Sequence, residues 1–338
     1  MRARIALDAR VTRQLSAGMQ TYVRELVARL PSEAPDLEFV SFAAGGNFGW
    51  AEHVRLPLTI RAARPALTHY LSQYTPVLMP CPYVVTIHDL IHLLFPENFK
   101  PKVGPYYRAI VRRVAKRAAR VITDDTRTVA DLQRFLGIAP ERVRVVSLGV
   151  QDAFLQPAVP RRGARPYFFY SGNHREHKDL PTLLQAWRTL PEGVAADLLM
   201  TGADDIGASR FTMPDRKVVM LGNVPASELA GYYAGAVALV HPALREGFGL
   251  PMLEAMAAGC PVIACADALP SVLEGAALTF PARDAAEASR AMQRVLADQG
   301  LRMKLVNEGR ARAAEFTWDR CARETANVYR EVLEESTR

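Results

Sequence analysis

Short apolar or β-branched runs alternate with longer segments of helical period along this chain, and the alternation starts afresh halfway. Such runs, joined by helices, build sheets covered on both faces, which implies parallel strands and an α/β architecture. In the first half, strands are expected at residues 5–8, 39–42, 84–88, 121–123 and 143–147, with helices at 19–30, 106–119 and 128–136. In the second half, strands are expected at 167–170, 197–200, 218–221, 236–240 and 261–264. A length of 338 residues suits two such domains. The segment 154–166 holds Pro157, Pro160, Pro166, Gly163, Arg161, Arg162 and Arg165 with no apolar period, and reads as an exposed linker. The expected organisation is an N-terminal Rossmann-like domain over 1–153, the linker at 154–166 and a C-terminal Rossmann-like domain over 167–317. A last helix over 318–338 offers an apolar or small face of Cys321, Ala322, Thr325, Val328, Tyr329 and Val332, and is expected to pack back on the first domain.

Composition narrows the function. With 49% apolar and 23% charged residues, the chain has the make-up of an ordinary globular protein. No apolar run approaches the roughly 20 residues that span a bilayer, and the N-terminus enters a strand at once, without the apolar core of a signal peptide. Cys81, Cys260, Cys265 and Cys321 form no CxxC pair, which argues against a zinc site or a disulfide framework and for a reducing cytoplasm. The net charge of +7 favours anionic partners. Much of it lies in Arg108, Arg112, Arg113, Lys116, Arg117 and Arg120, which at 100° per residue fill one half of a helical wheel, opposite Ile110, Val111, Val114 and Ala118. That cationic face suits either the solvated exterior of a sheet-covering helix or peripheral association with an anionic membrane at the inner face of the cell membrane. No aromatic RNA-binding signature or zinc finger accompanies it, so nucleic acid is not expected.

The stretch from His241 to Gly259, HPALREGFGLPMLEAMAAG, carries the most chemistry. Gly247 and Gly249 permit backbone angles closed to other residues, so the amides of Gly247, Phe248, Gly249 and Leu250 are able to turn toward one anion. Pro251 suits the first turn of a helix and Gly259 its C-terminal cap. A loop that ends in a helix N-terminus offers unpaired donors and a partial positive charge, which together favour a diphosphate. Glu246 precedes the turn and Glu254 lies about one helical turn inside it, so two carboxylates flank the anion site. Glu254 is expected to hold a ribose by its vicinal hydroxyls, and Glu246 to meet the transferred sugar.

This string resembles the Glu-x7-Glu signature of the family-4 retaining glycosyltransferases, and the likeness runs over nearly the whole chain. It implies the GT-B fold, two Rossmann-like domains with parallel sheets facing across a cleft. The turn Ser16-Ala17-Gly18-Met19 is similar to the family's N-terminal glycine turn, with Ala17 in place of the first glycine; Gly18 is expected to face donor phosphate or acceptor. His88, at the end of an apolar strand, matches the histidine beside the donor sugar, and Asp89 is expected either to orient its imidazole or to cap the next segment. After the 167–170 strand, Gly172 opens a donor-binding loop in which Arg175 and Lys178 are placed to neutralise a pyrophosphate; Asn173 stands where the family often has arginine. Val224, after Gly222-Asn223, is similar to the loop whose backbone contacts the nucleobase.

The resemblance implies transfer of a hexose from a nucleoside diphosphate sugar to a saccharide or lipid-linked acceptor, with His88, Glu246, Arg175 and Lys178 as the catalytic set. Likeness to bacterial polysaccharide mannosyl- and rhamnosyltransferases makes GDP-mannose the first expected donor, with uridine and thymidine donors open. No aspartate-rich metal motif is evident, so neither a metal nor another cofactor is expected. Two other classes compete: a sugar phosphorylase or glycosidase using Glu246 and Glu254 as paired carboxylates, and a sugar-nucleotide-binding or membrane-associated assembly protein without turnover.

Overall fold

The structure is a computed structural model and describes residues 2–11, 15–43 and 50–337; positions 1 and 338 of the expected domain limits lie outside them. The chain divides into two compact units, one formed by residues 1–149 and 317–338, the other by 150–316. The segment 154–166 falls inside the second unit, where Phe154 is buried and the Arg161 amide donates to the Gly231 carbonyl at 2.9 Å.

The first unit holds a six-stranded parallel sheet. Its strands are β1 (Ala3–Asp8), β2 (Leu37–Phe42), β3 (Leu67–Tyr70), β4 (Tyr83–Thr86), β5 (Arg120–Thr123) and β6 (Val143–Val145), in the order β2-β1-β3-β4-β5-β6. The second unit repeats the design with β7 (Tyr167–Tyr170), β8 (Asp197–Met200), β9 (Val218–Met220), β10 (Ala238–His241), β11 (Val262–Cys265) and β12 (Leu278–Phe280), in the order β12-β11-β10-β7-β8-β9. Every residue of β4, β7, β10 and β11 is buried, as expected of strands with helices on both faces. In each sheet the chain first builds outward on one side and then crosses to the other. The order therefore reverses between β1 and β3 in the first unit and between β7 and β10 in the second. At such a point the helices diverge to opposite faces and leave a crevice beyond the carboxyl ends of the strands.

The helix Trp318–Thr337 belongs to the first unit and packs along the helix Ala17–Glu33. Its face of Cys321, Ala322, Thr325, Val328, Tyr329 and Val332 is buried. At its centre the Tyr329 hydroxyl meets His69 Nδ1 at 2.6 Å, and His69 Nε2 meets the Thr86 hydroxyl at 2.8 Å, which in turn meets the Tyr22 hydroxyl at 2.9 Å. Burial pushes the His69 pKa down to about 3, so the ring is neutral and bridges two hydroxyls. Arg120 and Arg144 both bond Glu331 of this helix, and Arg330 bonds Asp36. Because an unmade buried hydrogen bond costs about 1–3 kcal/mol, Tyr329→Phe is expected to destabilise the chain by that amount in urea denaturation.

Candidate functional site

The second unit's crevice is built from two loops. After β7 the chain runs through Ser171 and Gly172 into a single turn of 3-10 helix, Glu176–Lys178. After β10 it runs from His241 through Glu246 to the helix Leu250–Ala257. The Leu244 amide donates to the His177 carbonyl at 2.8 Å and ties the loops together. Lys178 and Glu246 form an ion pair in which both side chains are nearly buried, at 8% and 10% exposure. His241 Nε2 reaches the same carboxylate oxygen, Oε1, at 2.5 Å. Its ring stacks on Tyr170 with centroids 6.2 Å apart and planes inclined by 15°. Burial alone would raise the pKa of Glu246, but the charges of Lys178 and His241 outweigh it and hold the carboxyl far below its usual range.

Glu254 has the opposite fate. It lies in the second turn of the Leu250–Ala257 helix, and the Tyr233 hydroxyl donates to its Oε2 at 3.3 Å. No cation is among the groups that act on its ionisation, so burial pushes its pKa up to about 8, against a small lowering by Tyr233. Near neutral pH in the free protein Glu254 is thus mostly a neutral acid and not the carboxylate expected from the sequence.

Between the two glutamates, Gly249 takes φ +81°, and a side chain there would meet Met252 and Pro270. Gly247 is not among the described residues with positive φ, so only one of the two expected glycine turns uses glycine's freedom. Among the described residues, none accepts a hydrogen bond from the amides of Gly247, Phe248, Gly249 or Leu250, which leaves them free to meet an anion. The Phe248 ring is buried edge-on against Phe316 at 5.9 Å, so this residue offers its backbone alone. The helix closes at Gly259, φ +77°, with the Cys260 amide on the Ala255 carbonyl at 2.8 Å.

The other expected donor residues of this unit are Gly172, Arg175 and Val224. Gly172 donates its amide to Thr201 Oγ1 at 3.1 Å, so that donor is already engaged. Arg175 is exposed on the loop that carries Lys178. Val224 follows the edge strand β9, in a loop pinned by paired bonds between Gly202 and Gly222 of 2.7 and 3.1 Å.

In the first unit, His88 lies just past β4 and its Nδ1 meets Asp124 Oδ2, just past the adjoining β5, at 2.6 Å. Burial disfavours the imidazolium, but the Asp124 carboxylate outweighs it and raises the His88 pKa. Asp124, not Asp89, orients the ring; Asp89 Oδ1 accepts from the Ile91 amide at 3.0 Å and caps the next segment. Tyr22 packs edge-on to His88 at 4.7 Å. Gly18 lies in the first turn of Ala17–Glu33, whose cap Ser16 accepts from the Met19 amide at 3.4 Å. At the end of β1, Arg10 is buried, with two 2.7 Å bonds to Asp8 and a 3.1 Å contact to Glu52. Asp124, His241, Tyr170 and Tyr233 were not singled out from the sequence. For Asp124 the sequence offers one signal, a polar pair directly after the apolar run 121–123; the adjacency of that strand to the one before His88 comes from the fold.

Residues 152–312 match the family described as Glycosyl transferases group 1, and residues 33–154 match Glycosyltransferase Family 4. O-antigen chain mannosyltransferase B of Escherichia coli is 27% identical over 270 residues, which is 73% of this chain and 70% of that protein. The MMP alpha-(1->4)-mannosyltransferase of Mycolicibacterium hassiacum is 30% identical over 258 residues, 69% of this chain and 60% of its own length. The alignment with the second relative thus spans less than two thirds of that protein. Among solved structures, Anabaena HepE in complex with UDP-glucose superposes with a TM-score of 0.76 at 16% identity, over 97% of this chain and 99% of that one. Two parallel sheets of this topology, with relatives of this kind, define a glycosyltransferase of GT-B fold. The chain belongs to the family-4 glycosyltransferases and resembles the polysaccharide mannosyltransferases among them.

The raised pKa of Glu254 gives a test with two readouts. Between the ordinary glutamate range and about 8, folding takes up a proton at this residue, so its ionisation lowers stability as pH rises. Glu254→Gln is therefore expected to raise the thermal midpoint at pH 8 more than at pH 6, while weakening nucleoside diphosphate binding. Equal shifts at both pH values would show that Glu254 is not held protonated.

Proposed function

We propose that this chain transfers a hexose, mannose in first place, from a nucleoside diphosphate sugar to a saccharide or lipid-linked acceptor, with retention of configuration and without a metal ion. The supporting observation is the second unit's crevice, where a lysine–glutamate pair lies beside four amides that have no acceptor among the described residues. That combination suits a ligand with a charged diphosphate and a hydroxylated sugar. The reading extends to synthesis of polysaccharide or glycoconjugate in the cytoplasm. No described helix is long and apolar enough to cross a membrane.

In this mechanism the bond from the sugar's anomeric carbon to the diphosphate breaks, and its electron pair leaves with the phosphate. Lys178, Arg175, the amides of residues 247–250 and the N-terminus of the Leu250–Ala257 helix stabilise that charge. The acceptor hydroxyl forms the new bond on the face the diphosphate leaves, and its proton passes to a diphosphate oxygen. Glu246 and His88 position the sugar and stabilise its positive charge, Glu254 bonds the ribose, and the backbone at Val224 and Gly18 faces nucleobase and phosphate. GDP-mannose is the first donor to try, since two relatives are named as mannosyltransferases. The neighbour solved with UDP-glucose puts uridine donors next.

A thermal-shift screen of nucleoside diphosphates and their sugars tests the reading, because a ligand at 100-fold its Kd adds about 2.7 kcal/mol. A base-selective shift is expected, followed by transfer that survives EDTA. Lys178→Ala is expected to lower kcat/KM by about 100- to 1,000-fold, comparable to the loss of one oxyanion donor. No shift with any nucleotide would remove the proposal.

The basic helix supports peripheral association with anionic membrane. Arg108, Arg112, Arg113, Lys116 and Arg117 are exposed, line a groove of 390 Å³ and have no ion pair among the described residues. Arg120 is corrected out of this face: it is the first residue of β5 and bonds Glu331 and Glu335. Since each basic residue near such a surface contributes about 1 kcal/mol, the chain is expected to co-sediment with phosphatidylglycerol vesicles and not with neutral ones. High salt and the Arg112→Glu/Arg113→Glu variant should abolish it.

A further inference from the structure

We propose that His241 is a positioning residue that keeps the Glu246 carboxylate in place when Lys178 moves onto the donor diphosphate. The inference rests on the reading of Glu246 as the sugar-facing group and Lys178 as a phosphate ligand.

In the free protein both partners converge on one atom, Oε1 of Glu246. The two differ in what a ligand does to them. Lys178 carries its charge on a flexible four-carbon stem, and a diphosphate beside it presents more negative charge than one carboxylate. Donor binding therefore draws the ammonium away from Glu246. His241 is not free to follow. It ends a fully buried strand, its side chain is 1% exposed and its ring lies nearly parallel to that of Tyr170, with centroids 6.2 Å apart. Its Nδ1 has no hydrogen-bond partner among the described residues, so the polar capacity of the ring is directed through Nε2 at Glu246. A carboxylate at 10% exposure that loses a partner is expensive to keep charged or still. With His241 on Oε1 it retains a rigid one, and Glu246 stays aimed as the sugar charge develops.

The experiment uses the full chain with the donor found by screening, and measures kcat, donor Kd and melting temperature. The variants are His241→Leu, His241→Gln, Glu246→Gln and the double variant His241→Leu/Glu246→Gln. Misplacement of a group by about 1 Å costs about 100-fold, so His241→Leu is expected to lower kcat by about 10- to 100-fold with a much smaller change in donor Kd. His241→Gln, which keeps an N–H donor at comparable reach, should restore most of the loss. In the Glu246→Gln background, His241→Leu should add nothing, because the residue acts through that carboxylate. Losses that multiply in the double variant would overturn the proposal. So would a His241→Gln as impaired as His241→Leu with the same drop in melting temperature, or a His241→Leu with full kcat. A wild-type chain that transfers no sugar from any nucleotide would instead sink the parent reading, and this proposal with it.

Discussion

A parallel sheet covered by helices on both faces leaves chemistry only its carboxyl edge. Both sheets obey this constraint, and each unit places a buried cluster of charged groups there. In the second unit Glu246, Lys178 and His241 gather beyond β7 and β10, where the strand order reverses. In the first, His88 and Asp124 meet beyond β4 and β5, and Arg10 lies between Asp8 and Glu52 at the end of β1. Charges drawn into such a partly desolvated edge must be matched or given up. The Arg10 guanidinium, Lys178 and the His88 imidazole are each matched by a carboxylate at short range.

Glu246 and Glu254 show how far matching decides character. They stand eight residues apart around one turn, and from the sequence they look alike. Glu246 receives a lysine and a histidine and is held ionised; Glu254 receives one tyrosine hydroxyl and has its pKa raised to about 8. Environments that push two carboxyl groups apart are a usual sign that they do different work. The charged one suits a site where positive charge develops on a sugar. The other, with only a tyrosine hydroxyl for a partner, lies where its oxygens meet hydroxyl donors and not cations.

The fold was legible because its strands are fully buried and therefore read as unbroken apolar runs; β7 and β8 have the expected limits. Two strands do not read as apolar runs. β3 is Leu-Thr-His-Tyr, and its Thr68 and His69 looked polar although both are buried through tertiary hydrogen bonds. β12 is three residues long and only Phe280 in it is buried. At the site, the composition of the loops was legible and the pairing was not. Asp124 and His241 acquire their roles from neighbours on adjacent strands or loops, and a strand's neighbours follow from topology, not from local pattern. Gly247 misled for a related reason: glycine permits a left-handed turn without requiring one, and at this turn Gly249 takes it.

The basic helix shows the same limit from the other side. A uniform 100° wheel placed Arg120 on its cationic face, but the helix passes through a π turn at Tyr107–Val111 and ends at Arg117. The expected faces persist through the π turn, and Arg120 leaves them only because the helix has ended. After the π turn, Arg112, Arg113, Lys116 and Arg117 point outward while Val111, Val114 and Ala115 are buried. Arg120, displaced into the sheet, meets Glu331 and Glu335 of the terminal helix, as Arg144 meets Glu331. The fold thus neutralises the arginines its terminal helix can reach and leaves five cations side by side without an acid partner among the described residues. Mutual repulsion of such a row costs stability in isolation. A surface of opposite charge turns that cost into attraction, which is the physical basis of the proposed association with anionic lipid.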